Sequence, residues 1–278
     1  MNAKEYALQA HGSFALPDAC FKVKQLMDTK TSSAEDFANV ISLDPSMASR
    51  LLQLANSAIY NLRSEVSTIS RAITLIGTQA LYNMMLIDVA TTAFKHFSSP
   101  SINLKQFWLN SIFAGLVSKN LAIKAGIRDI ERMFVVGLLH DFGGLIVAKM
   151  TPEAAKRCES ISPPAYPWQL QTHLLGFSYS QVTAELLELW QLPEKIIIPI
   201  RYFTQADHIE TNQDIKVLSI AVGLMLANNQ PEYLNYLIKD HQHILDDLGI
   251  ELSDLEEVCM IANQEMSSVV TSMRLKLY

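Results

Sequence analysis

Glycine is scarce in this chain, at 10 of 278 residues, and strict alternation of apolar and polar residues is nearly absent. Both shortages argue against sheets, whose marks are a period of two and glycine-bearing turns. Cysteine is scarcer. Cys20, Cys158 and Cys259 stand far apart and form no CxxC pair, so neither a zinc knuckle nor a disulfide framework is suggested, and the three read as buried free thiols. Charged residues make up only 18% of the chain, the formal net charge is −6, and Lys and Arg cluster nowhere. A protein that grips a phosphate backbone needs such a cluster, so direct nucleic-acid binding is not expected. The uncharged apolar runs fall short of the roughly 18 residues that a membrane-spanning helix needs. Met1-Asn2-Ala3-Lys4-Glu5-Tyr6 also lacks the basic-then-apolar order of a signal peptide, so a cytoplasmic protein is expected. There is no Walker loop, no GxSxG elbow and no legible Cys-His pairing.

What is present is apolar. Hydrophobic residues reach 49% and recur at spacings of three and four, which predicts an all-α protein with a large core. Helix starts are frequent. Leu16-Pro17-Asp18 opens one, Ser32 with Glu35 forms a capping box for the next, and Asp44-Pro45 places an N-cap carboxylate before a proline at the first helical position. A short helix ends at Gly77 and a longer one begins at Thr78. Asp129 caps a helix running into His140, helices follow from Trp168, Ser178, Pro193, Asp214 and Pro231, and a last one runs from a Ser253/Glu256 box toward Leu275. The polar, proline-bearing Phe97-Ser98-Ser99-Pro100-Ser101 is the candidate boundary between domains at 1–100 and 101–278.

One segment, Val135 to Val147, is apolar or glycine except for His140 and Asp141. A helix with no polar face lies inside the protein, and a buried carboxylate beside a buried imidazole needs partners. Two readings stand: a metal site, or a polar pair that pins helices together, with Asp141 satisfying buried donors such as Asn110.

The chain resembles the HDOD family, catalytically degenerate relatives of the HD and HD-GYP metal-dependent phosphohydrolases of bacterial signalling. The resemblance rests on Leu16-Pro17, on Asp44-Pro45-Ser46-Met47 followed by Leu51 to Ser57, and on Arg71-Ala72-Ile73 with Ile76-Gly77. It continues through Phe107-Trp108 with Ser111, Gly137 to Gly143, Leu175-Gly176-Phe177, and Trp190 to Glu194. It implies a multi-helical HD-like bundle with an N-terminal helical domain. It also implies a metal held by an upstream His, the His-Asp pair and a downstream Asp. At the matching positions this chain has Asn110 and Val222 beside His140 and Asp141, and where two-metal relatives place further histidines it has Tyr179 and Phe203. Two ligands make a poor cage. The expectation is therefore a signalling module that works by binding a protein or a small ligand, with no catalytic residues and no cofactor.

The alternative is a phosphohydrolase that keeps a divalent metal on His140 and Asp141 with an unusual ligand set, rescued by Asp207, His208 or His173; against that, these three read as solvent-facing residues near helix ends. A third reading is a pure scaffold whose pocket is filled by Asn110, Tyr179 and Phe203. A recognition surface is expected at Asp44, Asn56, Ser57 and Trp108, against the simpler reading that Asn56 and Ser57 tie off a helix and Trp108 is core.

Overall fold

A computed structural model of the chain describes every residue except 12–15, 30, 58, 61, 96, 98–100, 160 and 274–278, together with the side chains of 93–95. Within the described residues it is helical and has no strand. In chain order the helices are α1 (Ala3–His11), α2 (Asp18–Asp28), α3 (Ala34–Ser42), α4 (Pro45–Ala55) and α5 (Ile69–Lys95). There follow α6 (Leu104–Lys124), α7 (Ile130–Leu139), α8 (Phe142–Met150), α9 (Pro152–Cys158), α10 (Pro167–Leu175) and α11 (Tyr179–Leu189). The chain continues with α12 (Glu194–Tyr202), α13 (Ala206–Ile209), α14 (Gln213–Asn229), α15 (Tyr233–Leu248) and α16 (Leu252–Ser272). The chain divides into a larger unit, Met1–Phe14 with Phe97–Gln264, and a smaller one, Ala15–His96 with Glu265–Tyr278.

A single cut near residue 100 differs from this division at both ends of the chain. Helix α1 belongs to the larger unit because Tyr6 packs edge-on against Phe177 at 5.3 Å and its hydroxyl shares a 2.9 Å hydrogen bond with Thr151. Residues 98–100 of the expected boundary, and the expected end of the last helix at Leu275, lie outside the described residues.

In the larger unit, α6 and α7 approach closely because glycines face each other. A Cβ on Gly137 would lie 2.5 Å from the Ala114 carbonyl oxygen and 2.7 Å from Gly115 Cα, so only glycine permits this separation. Arg132, 7% exposed, donates to Asp214 at 2.8 Å and to the Lys195 carbonyl at 2.9 Å, tying α7 to α14 and to the start of α12.

In the smaller unit, α5 supplies the core through Leu81, Met84 and Met85. Gly77, at φ 83°, breaks it where the sequence places a helix stop. Asp44 caps α4 by accepting from Ser46 and Met47 N–H, both at 3.0 Å.

Several local expectations are corrected. The capping box ahead of α3 is Ser33 with Asp36, one residue later than expected: Ser33 N–H donates to Asp36 at 2.7 Å and Asp36 N–H to Ser33 Oγ at 3.3 Å. At the start of α16, Asp254 takes the Glu251 N–H at 2.9 Å, so the expected Ser253/Glu256 box does not form. Helix α15 runs on past Lys239 to Leu248. Two stretches, Ile69–Thr92 and Ile130–Met150, are long and apolar enough to cross a membrane, against the expectation that none is; both are core, with 67% and 83% of their most apolar windows buried.

Candidate functional site

The His140-Asp141 pair sits at a corner and not inside a helix. Helix α7 ends at Leu139 and α8 begins at Phe142. His140 Nδ1 lies 2.7 Å from the Gly137 carbonyl oxygen, the acceptor that a continuing helix would offer to the N–H of residue 141. The corner is secured from α11: Gly143 N–H donates to Thr183 Oγ1 at 2.7 Å, and that hydroxyl in turn lies 3.3 Å from the His140 carbonyl. Gly143 is required there, since a Cβ would stand 2.1 Å from the Tyr179 carbonyl oxygen.

Because Thr183 takes the Gly143 N–H, the Asp141 carboxylate does not cap α8. Among the described residues no hydrogen bond reaches it, which corrects the expectation that it satisfies buried donors. It looks into a cavity of about 310 Å³. All six positions expected to form a vestigial pocket line this cavity: Asn110 from α6, His140 and Asp141 from the corner, Tyr179 from the start of α11, Phe203 from the end of α12, and Val222 from α14. They do not fill it, which removes the reading of a plugged scaffold. Sequence reasoning missed Cys158, Glu159, Trp168, Gln171 and Asn229 on the same walls; the Tyr166-Pro167-Trp168 cluster was the one available signal.

The electrostatics follow from burial. Desolvation holds His140 down at about 4, so the ring is neutral. Its Nδ1–H donates to Gly137, and Nε2 is left as an acceptor. Desolvation, with Glu159 second, pushes Asp141 up to about 7. The Tyr179 phenol is raised far above its ordinary range, first by burial and then by the neighbouring Cys158. Its hydroxyl is buried with no oxygen or nitrogen partner, and only the Cys158 thiol stands beside it. Asn110 is engaged at the rim, its carbonyl oxygen accepting from Gln106 at 2.8 Å and from Asn229 at 3.0 Å.

A divalent metal does not fit this donor set. His140 and Asp141 both line the cavity, but a catalytic site wants at least a third protein ligand. The other positions offer an occupied amide, a protonated phenol, a phenyl ring and an isopropyl group. Among the described residues no three His, Cys, Asp or Glu side chains come close enough to hold an ion. Asp207, His208 and His173 do not line the cavity; His208 stacks on Tyr202 at 4.2 Å.

Of the remaining candidates, Asp44 and Asn56 are exposed, whereas Trp108 and Ser57 are buried. Trp108 is 5% exposed and Ser57 5%, so neither offers a face to a partner. Ser57 donates to the Leu54 carbonyl at 2.6 Å. Asn56 clasps its own loop, donating to the Leu52 and Val66 carbonyls at 2.8 Å each and accepting from Val66 N–H at 2.7 Å. Asp44 is occupied as the α4 cap. Of the thiols, Cys20 and Cys158 are buried and free, while Cys259 is half-buried.

This geometry can be set beside known proteins. The HDOD domain model matches residues 14–206, well over half of the chain. The chain belongs to the HDOD domain family. The matched stretch ends before α14, so the cavity wall carrying Val222 and Asn229 lies beyond it. The fold is shared with a "Putative phosphohydrolase" from Shewanella amazonensis SB2B, at a TM-score of 0.73 and 22% identity over 96% of this chain and 98% of that one. A "Putative signal transduction protein" from Marinobacter aquaeolei VT8 gives 0.67 and 21%, over 94% and 59%. An uncharacterized protein of Treponema pallidum (strain Nichols) is 25% identical over 213 residues, 76% of this HDOD chain. The chain spans about two fifths, 41%, of that curated relative.

Proposed function

We propose that this HDOD chain is a cytoplasmic regulatory module of signal transduction that acts by binding a small molecule and engaging a signalling partner, without hydrolysing a substrate. One observation carries the reading. The cavity stands where the HD relatives implied by the sequence hold metal, yet its walls replace four ligands with Asn110, Tyr179, Phe203 and Val222 while keeping an open volume of about 310 Å³. Hydrolysis on an HD scaffold depends on a metal-activated water, and two adjacent donors do not supply the site for one. An open cavity without that chemistry is a binding site.

Its walls come from several helices of the larger unit, so a ligand contacting all of them would hold those helices together. The net charge of −6 disfavours nucleic acid as the partner. The test is elemental analysis of the purified protein for Mn, Fe, Zn and Mg, with assays on phosphodiesters and phosphomonoesters after metal loading. The expected result is substoichiometric metal and no turnover. Stoichiometric metal that disappears on His140→Ala, or turnover that disappears with it, would overturn the proposal.

A further inference from the structure

We propose that the cavity beside His140 and Asp141 takes a small organic cation, a primary ammonium or amidinium head on a compact aromatic or aliphatic body. This rests on the reading of the cavity as a binding site and goes beyond it by naming the ligand class.

The first ground is the sign of charge. Asp141 lies on the inner wall and Glu159 toward the exposed side, while no Lys or Arg stands among the described residues that line the cavity. Arg157 acts on the neighbouring Cys158 thiol but does not line the space. Phosphate and carboxylate ligands are held most strongly by cationic donors, and this wall carries two carboxyl groups and no cationic side chain.

The second ground is the kind of hydrogen-bonding group left open. His140 spends its Nδ1–H on Gly137, so Nε2 can only accept. The Asp141 carboxylate has no partner among the described residues. The hydroxyl of Tyr179, a residue only 6% exposed, has no oxygen or nitrogen partner and meets only the weakly bonding Cys158 thiol. Buried polar groups left open in this way are costly unless a ligand satisfies them. Two acceptors and a phenol together suit a head rich in N–H donors.

The third ground is aromatic. Trp168 and Phe203 meet edge to face at 5.8 Å on the wall, and Tyr166 stacks on Trp168 at 4.6 Å, which fixes the indole plane. Aromatic faces attract cations, tryptophan most strongly. The volume, about 310 Å³, is at the small end of ligand cavities, which suits a body the size of a single ring.

The experiment is isothermal titration of the intact chain with phenethylamine and benzamidine, against the neutral isostere 2-phenylethanol and the anion phenyl phosphate. The expected result is saturable binding of at least one cation, about tenfold or more tighter than the neutral isostere, with no binding of phenyl phosphate; tenfold corresponds to about 1.4 kcal/mol. Asp141→Asn should remove that preference. Trp168→Ala, at a half-exposed position, should weaken the cation roughly 2- to 30-fold, the range of a cation–π contact, with both variants first shown by circular dichroism to be folded. Phenyl phosphate or the alcohol binding as tightly as the cations, no saturable heat from either cation, or an Asp141→Asn variant that keeps the preference would overturn the assignment. Failure here with metal-free, inactive protein removes only the ligand class. A metal-loaded, hydrolytically active protein removes the binding reading itself.

Discussion

Replacing Asp141 by Asn should stabilise the protein at neutral pH and leave it unchanged in acid. The Asp141 carboxyl is pushed from 3.8 up to about 7, chiefly by desolvation. The folded state therefore resists an ionisation that the unfolded chain accepts freely. Where an acid's folded value is raised, the unfolded state carries fewer protons between the two values, so stability falls as pH rises from about 3.8 to 7 and stays level above. The full shift of about three units would correspond to roughly 4 kcal/mol at 1.36 kcal/mol per unit. Asp141 keeps part of its surface open to water through the cavity, and halving the figure for screening leaves about 2 kcal/mol. Asparagine has no charge to bury and nearly the same shape. For a chain of this size the gain corresponds to a midpoint about 4–6 °C higher at pH 8, shrinking to nothing near pH 4. Thermal unfolding of both proteins followed by circular dichroism at pH 4, 5, 6, 7 and 8 reads this directly. A difference that does not change with pH, or an Asn variant that melts lower at pH 8, would refute the reasoning, because it would mean that the carboxylate has a stabilising partner after all.

Three further outcomes are expected. Gly143→Ala should cost about 3 kcal/mol or more, since its Cβ would meet the Tyr179 carbonyl oxygen at 2.1 Å and the Thr183 nitrogen at 2.9 Å, backbone atoms that cannot turn aside; Gly126→Ala, with open space but φ +71°, should cost only about 1 kcal/mol, and chemical denaturation compares them. Asn56→Ala should lose about 1–3 kcal/mol by orphaning the Val66 N–H and carbonyl, while phenethylamine titration of the larger unit's cavity stays unchanged. Asp88→Ala should cost about 2–4 kcal/mol, because Asp88 is 3% exposed and accepts from Arg50 Nε at 2.5 Å and from a second guanidinium nitrogen at 3.0 Å; a double-mutant cycle with Arg50→Ala showing no coupling would count against the pair.

The sequence by itself determined the helical class, because spacings of three and four with few glycines admit little else, and it determined most helix starts. Asp44 before Pro45, Asp129 before α7 and Ser178 before α11 all cap as their residue types require. Where two overlapping pairs carried the same signature, as with Ser32/Glu35 and Ser33/Asp36, only the fold chose between them. The site was half legible. His140, Asp141 and the four positions that stand in for ligands could be named from motif order, and the fold brings them to one cavity from four helices and a corner. That Asp141 faces this space unpaired was not legible, because it depends on Thr183, 42 residues away, taking the Gly143 N–H. The same holds for the aromatic wall and for Glu159: a hydrophobic pattern reports which residues go inside, but not which of them stop short of touching. Trp108 shows the converse, a side chain that reads as a recognition group until packing buries it. Cavities and unpaired groups are properties of how distant surfaces meet, and only tertiary structure decides them.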